Sequence, residues 1–174
     1  MKLIDIVPIE EWEKFEKELF ERFRMNCTVF DQSGTGVTGK PCWCNRLCPE
    51  IKGNKNSLAA ICAPGNQYFM ATARQTGEPV IGECDAGLVK IAVPIFVDGV
   101  FMGTAGGCGR LPQGGEVESF IIEKAMGRNE KEIAMLCDGI ETMTREQAGE
   151  MAEFIEKRIA EYVNKFINLS IAAG

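Results

Sequence analysis

Histidine is absent from the 174 residues. Its absence removes mixed Cys/His zinc sites, a histidine-ligated haem and every His-based catalytic triad together. Basic charge is scarce: 19 Lys and Arg stand against 25 Asp and Glu, giving a formal net charge of -6. Nonspecific nucleic-acid binding needs clustered cations to neutralise phosphates, and no helix-turn-helix or zinc-finger spacing makes up for them, so no nucleic-acid partner is expected. No window reaches about 18 consecutive apolar residues, so no membrane-spanning helix is expected. The opening MKLIDIVPIEEWEK turns acidic where a secretory leader stays apolar, and a cytoplasmic protein is expected. No C-x-x-C pair occurs, so zinc-ribbon and ferredoxin spacings both fail. The segment GTAGGCGRLPQGG is rich in glycine but lacks the Gly-Lys-Ser/Thr of a P-loop.

What the chain does have is cysteine, eight in all. Three of them, Cys42, Cys44 and Cys48, fall within KPCWCNRLCP. Disulfides rarely persist in the cytoplasm, where such residues more often serve as metal ligands or redox thiols. The rest of the composition, 45% apolar and 25% charged, is that of a globular protein. No repeat or linker divides the chain, so residues 1–174 read as a single domain.

Trp12, Phe15, Leu19 and Phe23 recur at three- and four-residue steps and predict an amphipathic helix from Pro8 to Met25. Glu10, Glu11, Glu13 and Glu16 are assigned to its solvated face. MNCTVF, Met25 to Phe30, has strand composition and ends at the turn DQSG. Ser33 to Lys40 and the cysteine cluster read as loops. Ser57 to Thr76 is helical in pattern, with a break expected at Pro64-Gly65. Pro79–Gly82 and Leu88–Val97 are predicted strands. Asp98-Gly99 is the strongest hairpin signal in the chain, returning through Val100 to Ala105. Beyond Gly109 only helices are expected, at Glu116–Met126, Glu130–Asp138 and a last one carrying Met151, Ile155, Ile159, Val163 and Phe166. That stripe packs on the sheet or serves a dimer. The tail INLSIAAG is read as fraying or packing on a partner.

From Thr76 to Gly109 the sequence TGEPVIGECDAGLVKIAVPIFVDGVFMGTAGGCG resembles the PocR-type sensory domains, ligand-binding domains related in fold to PAS domains. The family's Cys-His-Ala-Gly-Leu element is matched by Cys84-Asp85-Ala86-Gly87-Leu88, its Val-Pro-Ile by Val93-Pro94-Ile95, and its Asp-Gly by Asp98-Gly99. Cys48 and Cys62 match its two upstream cysteines. The chain departs from the pattern at Asp85, where the family has histidine, and at Cys108, where it has glutamine. The resemblance implies an α+β, PAS-like antiparallel sheet with flanking helices and a helical C-terminal tail. It further implies a sensor of small organic compounds that passes its signal onward. No output domain is recognisable in these residues, so the expected partner is another protein chain or a second copy.

If Asp98-Gly99 is a two-residue turn, Val97 pairs with Val100 and Cys108 lies opposite Val89, near Cys84; a bulge would shift this by a residue or two. Cys48, Cys62, Cys84 and Cys108 are therefore the candidate ligands of one metal centre. An iron–sulfur cluster is favoured and zinc is the alternative. Cys42 or Cys44 could replace Cys48. Cys27 and Cys137 fall in apolar patterns and read as core. Trp43 reads as a packed lid, Glu83 as a pocket group or an edge charge, and Arg74 and Arg110 as candidate anion contacts. The expected function is a small-molecule or redox sensor with a cysteine-ligated centre. A small iron–sulfur enzyme or redox carrier and a zinc-stabilised binding protein are the alternatives. No general acid–base pair supports an enzyme.

Overall fold

The computed structural model describes residues 1–172. A short helix α1 (Leu3–Ile6) leads into α2 (Ile9–Phe23). The helix α2 buries Trp12, Phe15, Leu19 and Phe23, as the apolar spacing requires, and stops where Arg24 takes a left-handed conformation. Strand β1 (Asn26–Asp31) follows. The cysteine cluster then runs into α3 (Leu47–Gly53), the single turn α4 (Lys55–Ser57), a π-helical turn (Leu58–Cys62) and α5 (Ala63–Thr76). Strands β2 (Val80–Glu83), β3 (Val89–Val97) and β4 (Val100–Pro112) come next. The chain finishes with α6 (Ser119–Met126), α7 (Glu130–Cys137), the two-residue β5 (Thr142–Met143) and α8 (Arg145–Ala172). Of the tail read as fraying or packing on a partner, residues up to Ala172 continue α8, and 173–174 lie outside the described residues.

The strands form an open sheet in the order β1-β4-β3-β2, antiparallel throughout, with β5 added in parallel to β4. Helices flank this sheet and α8 forms the C-terminal tail, an α+β arrangement consistent with a PAS-like architecture. The Asp98-Gly99 hairpin pairs Val97 with Val100, with positive φ at both turn residues, as a type I′ turn demands. Pro64 does not break its helix. It falls in the first turn of α5, where a missing N–H costs nothing, and the π turn before it takes up the proline.

One irregularity in β4 decides which way the site faces. The register slips between Ile95 and Phe96, opposite Gly103. Gly103 has φ +150, a conformation essentially reserved for glycine. Past the bulge, Cys108 pairs with Lys90 instead of Val89. A slip of one residue turns every later side chain to the other face. Val89, Ile91, Val93, Ile95 and Val97 point with Cys27 and Val29 into the larger core, where α2 and α8 lie and where Met151, Ile155 and Ile159 of α8 are buried. Lys90, Ala92, Thr104, Gly106 and Cys108 therefore point the opposite way, toward α3 and α5.

Glu16 is not on the solvated face assigned to it. It is buried at 4% exposure, where its Oε1 accepts the Val29 N–H at 2.7 Å and its Oε2 accepts the Thr38 hydroxyl. Its phase, four residues after Trp12 and three before Leu19, puts it on the apolar stripe of α2, where it meets the outer edge of β1, unlike Glu10, Glu11 and Glu13.

Candidate functional site

The face of the sheet away from α8 forms the floor of a cavity roofed by α3, the π turn and α5. Across the floor, Asn26 of β1 pairs with Cys108 of β4, and Cys108 with Lys90 of β3. The next row is Thr28, Gly106 and Ala92. A missing side chain at its centre and a methyl beside it leave the hollow. About 50 Å³ is open to the centres of water-sized spheres, several times what one water needs. That room suits a molecule of a few heavy atoms.

All four candidate cysteines line this cavity. Cys108 rises from the floor. Cys84 is fixed just after β2 by a tight turn, its N–H donating to the Leu88 carbonyl at 2.8 Å and its carbonyl accepting the Gly87 N–H at 2.8 Å. Cys62 ends the π turn and Cys48 lies in the first turn of α3. Asn45 locks α3 to the end of β4. Its Oδ1 accepts the Cys48 N–H at 2.8 Å, and its Nδ2 donates to the Gly109 carbonyl at 2.6 Å and approaches the Cys48 Sγ at 3.3 Å.

The expected metal centre is not there. Among the described residues no group of three or more Cys, His, Asp or Glu converges in a way that could hold a metal ion, and all eight cysteines are free thiols. The physical reason is the cavity itself. The four cysteines stand on separate elements, the sheet, the end of β2, α3 and the π turn, and line the hollow without closing on one point. The iron–sulfur cluster and the zinc alternative both fall with that geometry, and so does the redox or metal function built on them. Cys44 cannot complete the set: its thiol turns to the Cys108 and Gly109 carbonyls at 3.8 and 3.5 Å. Cys42 does not line the cavity. Cys27 is core, with its thiol on the Met25 carbonyl at 3.3 Å, and Cys137 packs partly into the smaller core beside α6 and α7.

Two of the thiols form a pair. A hydrogen bond between the Cys48 and Cys108 side chains holds the Cys108 thiol well below its ordinary range, helped against burial by the charges of Lys90 and Lys52. The same bond, with burial, raises Cys48. Burial first, and then the charge at Cys108, pushes Cys44 and Cys62 each up to about 11. Cys84 is raised for the same two reasons.

Other candidates lie elsewhere. Arg110 braces the fold by donating to the Phe23 carbonyl at 3.0 Å and to the Thr142 carbonyl, and it pairs with Glu141 at 3.5 Å. Arg74 stacks over Phe101 on the surface, 5.5 Å from the ring centroid. Glu83 and Asp85 are exposed. Trp43 packs against the smaller core under the Lys52 ammonium, 5.1 Å from its ring centroid.

Sequence reasoning missed Lys90, Asn26 and Asn66. Lys90 is the only charge in LVKIAVPIFV, a strand buried on both faces. A lone cation in such a run was the available signal, because unpaired charges are seldom buried. Among the described residues no helix is long and apolar enough to cross a membrane. No curated protein and no solved structure matches the chain. The fold agrees with one finding: a family model described as the sensory domain found in PocR matches residues 5–166, from α1 well into α8, and the chain belongs to the PocR sensory-domain family.

Proposed function

We propose that this chain is a sensory domain that takes a small organic molecule into the cavity between the sheet and α3–α5, and passes its occupancy to a partner protein or a second copy. The observation that carries this reading is the enclosed hollow, built where the Gly103 bulge turns Cys108, Gly106 and Thr104 away from the main core. Cys48, Cys62, Cys84 and Cys108 contribute as thiols in the cavity wall, with sulfur serving as a polarizable, adaptable surface. A cytoplasmic setting suits eight free thiols, and the acidic balance favours a protein partner over nucleic acid.

The test is thermal stability of the reduced protein against neutral and charged compounds of up to about five carbons. A ligand at a hundred times its Kd stabilises by about 2.7 kcal/mol, a rise of roughly 7 °C for a chain of this length. Ala92→Leu fills the hollow and should remove that rise while leaving the protein folded. Compounds that raise the melting temperature of wild type and Ala92→Leu alike, or a panel that leaves wild type unmoved, would overturn the reading.

A further inference from the structure

Lys90, Lys52, Asn26 and Asn66 bring ammonium and amide groups to the cavity wall. Lys90 is buried at 9% exposure, and its Nζ donates to the Asn66 Oδ1 at 2.7 Å. An ammonium carries three donors, and among the described residues no carboxylate pairs with Lys90. Lys52 brings a second ammonium to the same cavity. Asn26, at 4% exposure, holds the Cys44 N–H on its Oδ1 at 2.7 Å. That bond fixes the orientation of the amide, and its Nδ2 is left buried with no acceptor. No Asp or Glu lines the cavity among the described residues.

A buried cation without an anion and a buried amide without an acceptor are each costly. Native proteins seldom keep either without a use. Asn26 and Lys90 flank Cys108 across neighbouring strands, so their backbones stand roughly 10 Å apart. The Lys90 ammonium, on Asn66 and 5.6 Å from the Phe69 ring centroid, and the Asn26 amide, beside Gly109, border the same cavity. The opposite wall, with Ile51, Ile61, Leu88 and Met70, is apolar.

We propose that the ligand is a small monocarboxylate, with its carboxylate held between the Lys90 ammonium and the Asn26 amide and its short carbon chain against the apolar wall. This rests on the cavity being the sensory pocket, and the test separates the two claims. Calorimetric titrations of the reduced protein at pH 7 and constant ionic strength would use propanoate, butanoate and lactate. The neutral counterparts are propanamide, 1-propanol and propane-1,2-diol, with chloride and sulfate as inorganic anions. Hydrogen bonds to a charged group predict that wild type prefers at least one carboxylate over its neutral counterpart by about tenfold or more. Lys90→Met should lose that preference and keep any binding of the alcohols. Asn26→Asp, which keeps the acceptor for the Cys44 N–H and removes the donor, should lose it too.

Equal or tighter binding of the neutral compounds by wild type overturns the carboxylate assignment and leaves the pocket standing. Equal competition by chloride or sulfate also overturns it. Binding of none of the probes removes both claims. Should Lys90→Met fail to fold, the wild-type preference and Asn26→Asp decide the question.

Discussion

Replacing Glu16 offers a direct check on how the edge of the site's sheet is held. The Glu16 carboxylate accepts the Val29 N–H at 2.7 Å and the Thr38 hydroxyl, closing the outer edge of β1 beside the loop whose Val37 N–H donates to the Val29 carbonyl at 2.9 Å. Glu16→Ala leaves the Val29 N–H buried without an acceptor, a loss of about 1–3 kcal/mol. Unfolding entropy of roughly 2.1 cal/mol/K per residue makes each kcal/mol worth about 2.7 °C in a chain of this size. The melting temperature should therefore fall by about 3–8 °C at pH 7. Glu16→Gln keeps the acceptor and should lose less.

The pH dependence tests the same residue from another side. Burial raises the Glu16 carboxyl above 4.5, against the pull of its hydrogen bonds from Thr38 and Val29. Between the unfolded value and the raised folded value, the folded chain binds the extra proton, so stability falls as pH rises. The favourable contribution is complete below the unfolded value and is lost as pH passes through the folded one. Glu16→Gln cannot titrate. Its melting temperature relative to wild type should therefore climb from pH 4 upward and level off once the folded carboxyl is ionised. Scanning calorimetry across this range on wild type and both variants is sufficient. A Glu16→Ala protein as stable as wild type, or a Gln-minus-wild-type difference that falls with pH, would refute the reasoning.

Two further outcomes follow from the site. Gly103→Ala should destabilise by roughly 2–5 kcal/mol in urea titration, because its Cβ runs into the Phe30 carbonyl oxygen at a φ of +150; Gly99→Ala, with nothing near its Cβ, should cost only about 1–2 kcal/mol, and equal costs would refute the role of the bulge. Cys48→Ala removes the hydrogen bond that lowers Cys108, so the pH midpoint of Cys108 alkylation, followed by peptide mass spectrometry, should move upward; an unmoved midpoint would show that the pair is not coupled.

The helices and the hairpin were legible because their signals are local. A three- and four-residue apolar rhythm forms α2 and α8 wherever they dock, and Asp98-Gly99 makes its turn by itself. Asn129 with Glu132 and Thr144 with Gln147 form reciprocal capping boxes, another signal set by residues three apart. Two extents were misread. The strand β4 runs on to Pro112 through GTAGGCG, because β1 and β3 bond both its edges and outweigh the weak strand preference of glycine. Helix α3 emerges from a cluster read as loop, because Pro49 falls in its first turn, where proline is tolerated. The register past Gly103 was a matter of one bulge, and that bulge moved Cys108 from the side of Val89 to the side of Lys90. Nothing local marks the slip. It depends on a glycine whose backbone must pass close to β1.

The same alternation connects the site to the surface of the domain. Cys108 faces the cavity, and its neighbour Gly107 faces α8. With no side chain at Gly107, the Met151 Cε and the Met25 Cβ press directly on the strand, so close that a Cβ there would stand 2.8 and 3.0 Å from them. Ile91, opposite Gly107 on β3, belongs to the same core as Met151 and Ile155. A ligand seated on the Asn26–Cys108–Lys90 row therefore bears on a strand whose other side is packed against the long C-terminal helix without an intervening layer. Close-packed interiors transmit displacement rather than absorb it. Under the proposed function, a displacement of β4 at Cys108 would be felt at Met151, near the start of the 28-residue α8.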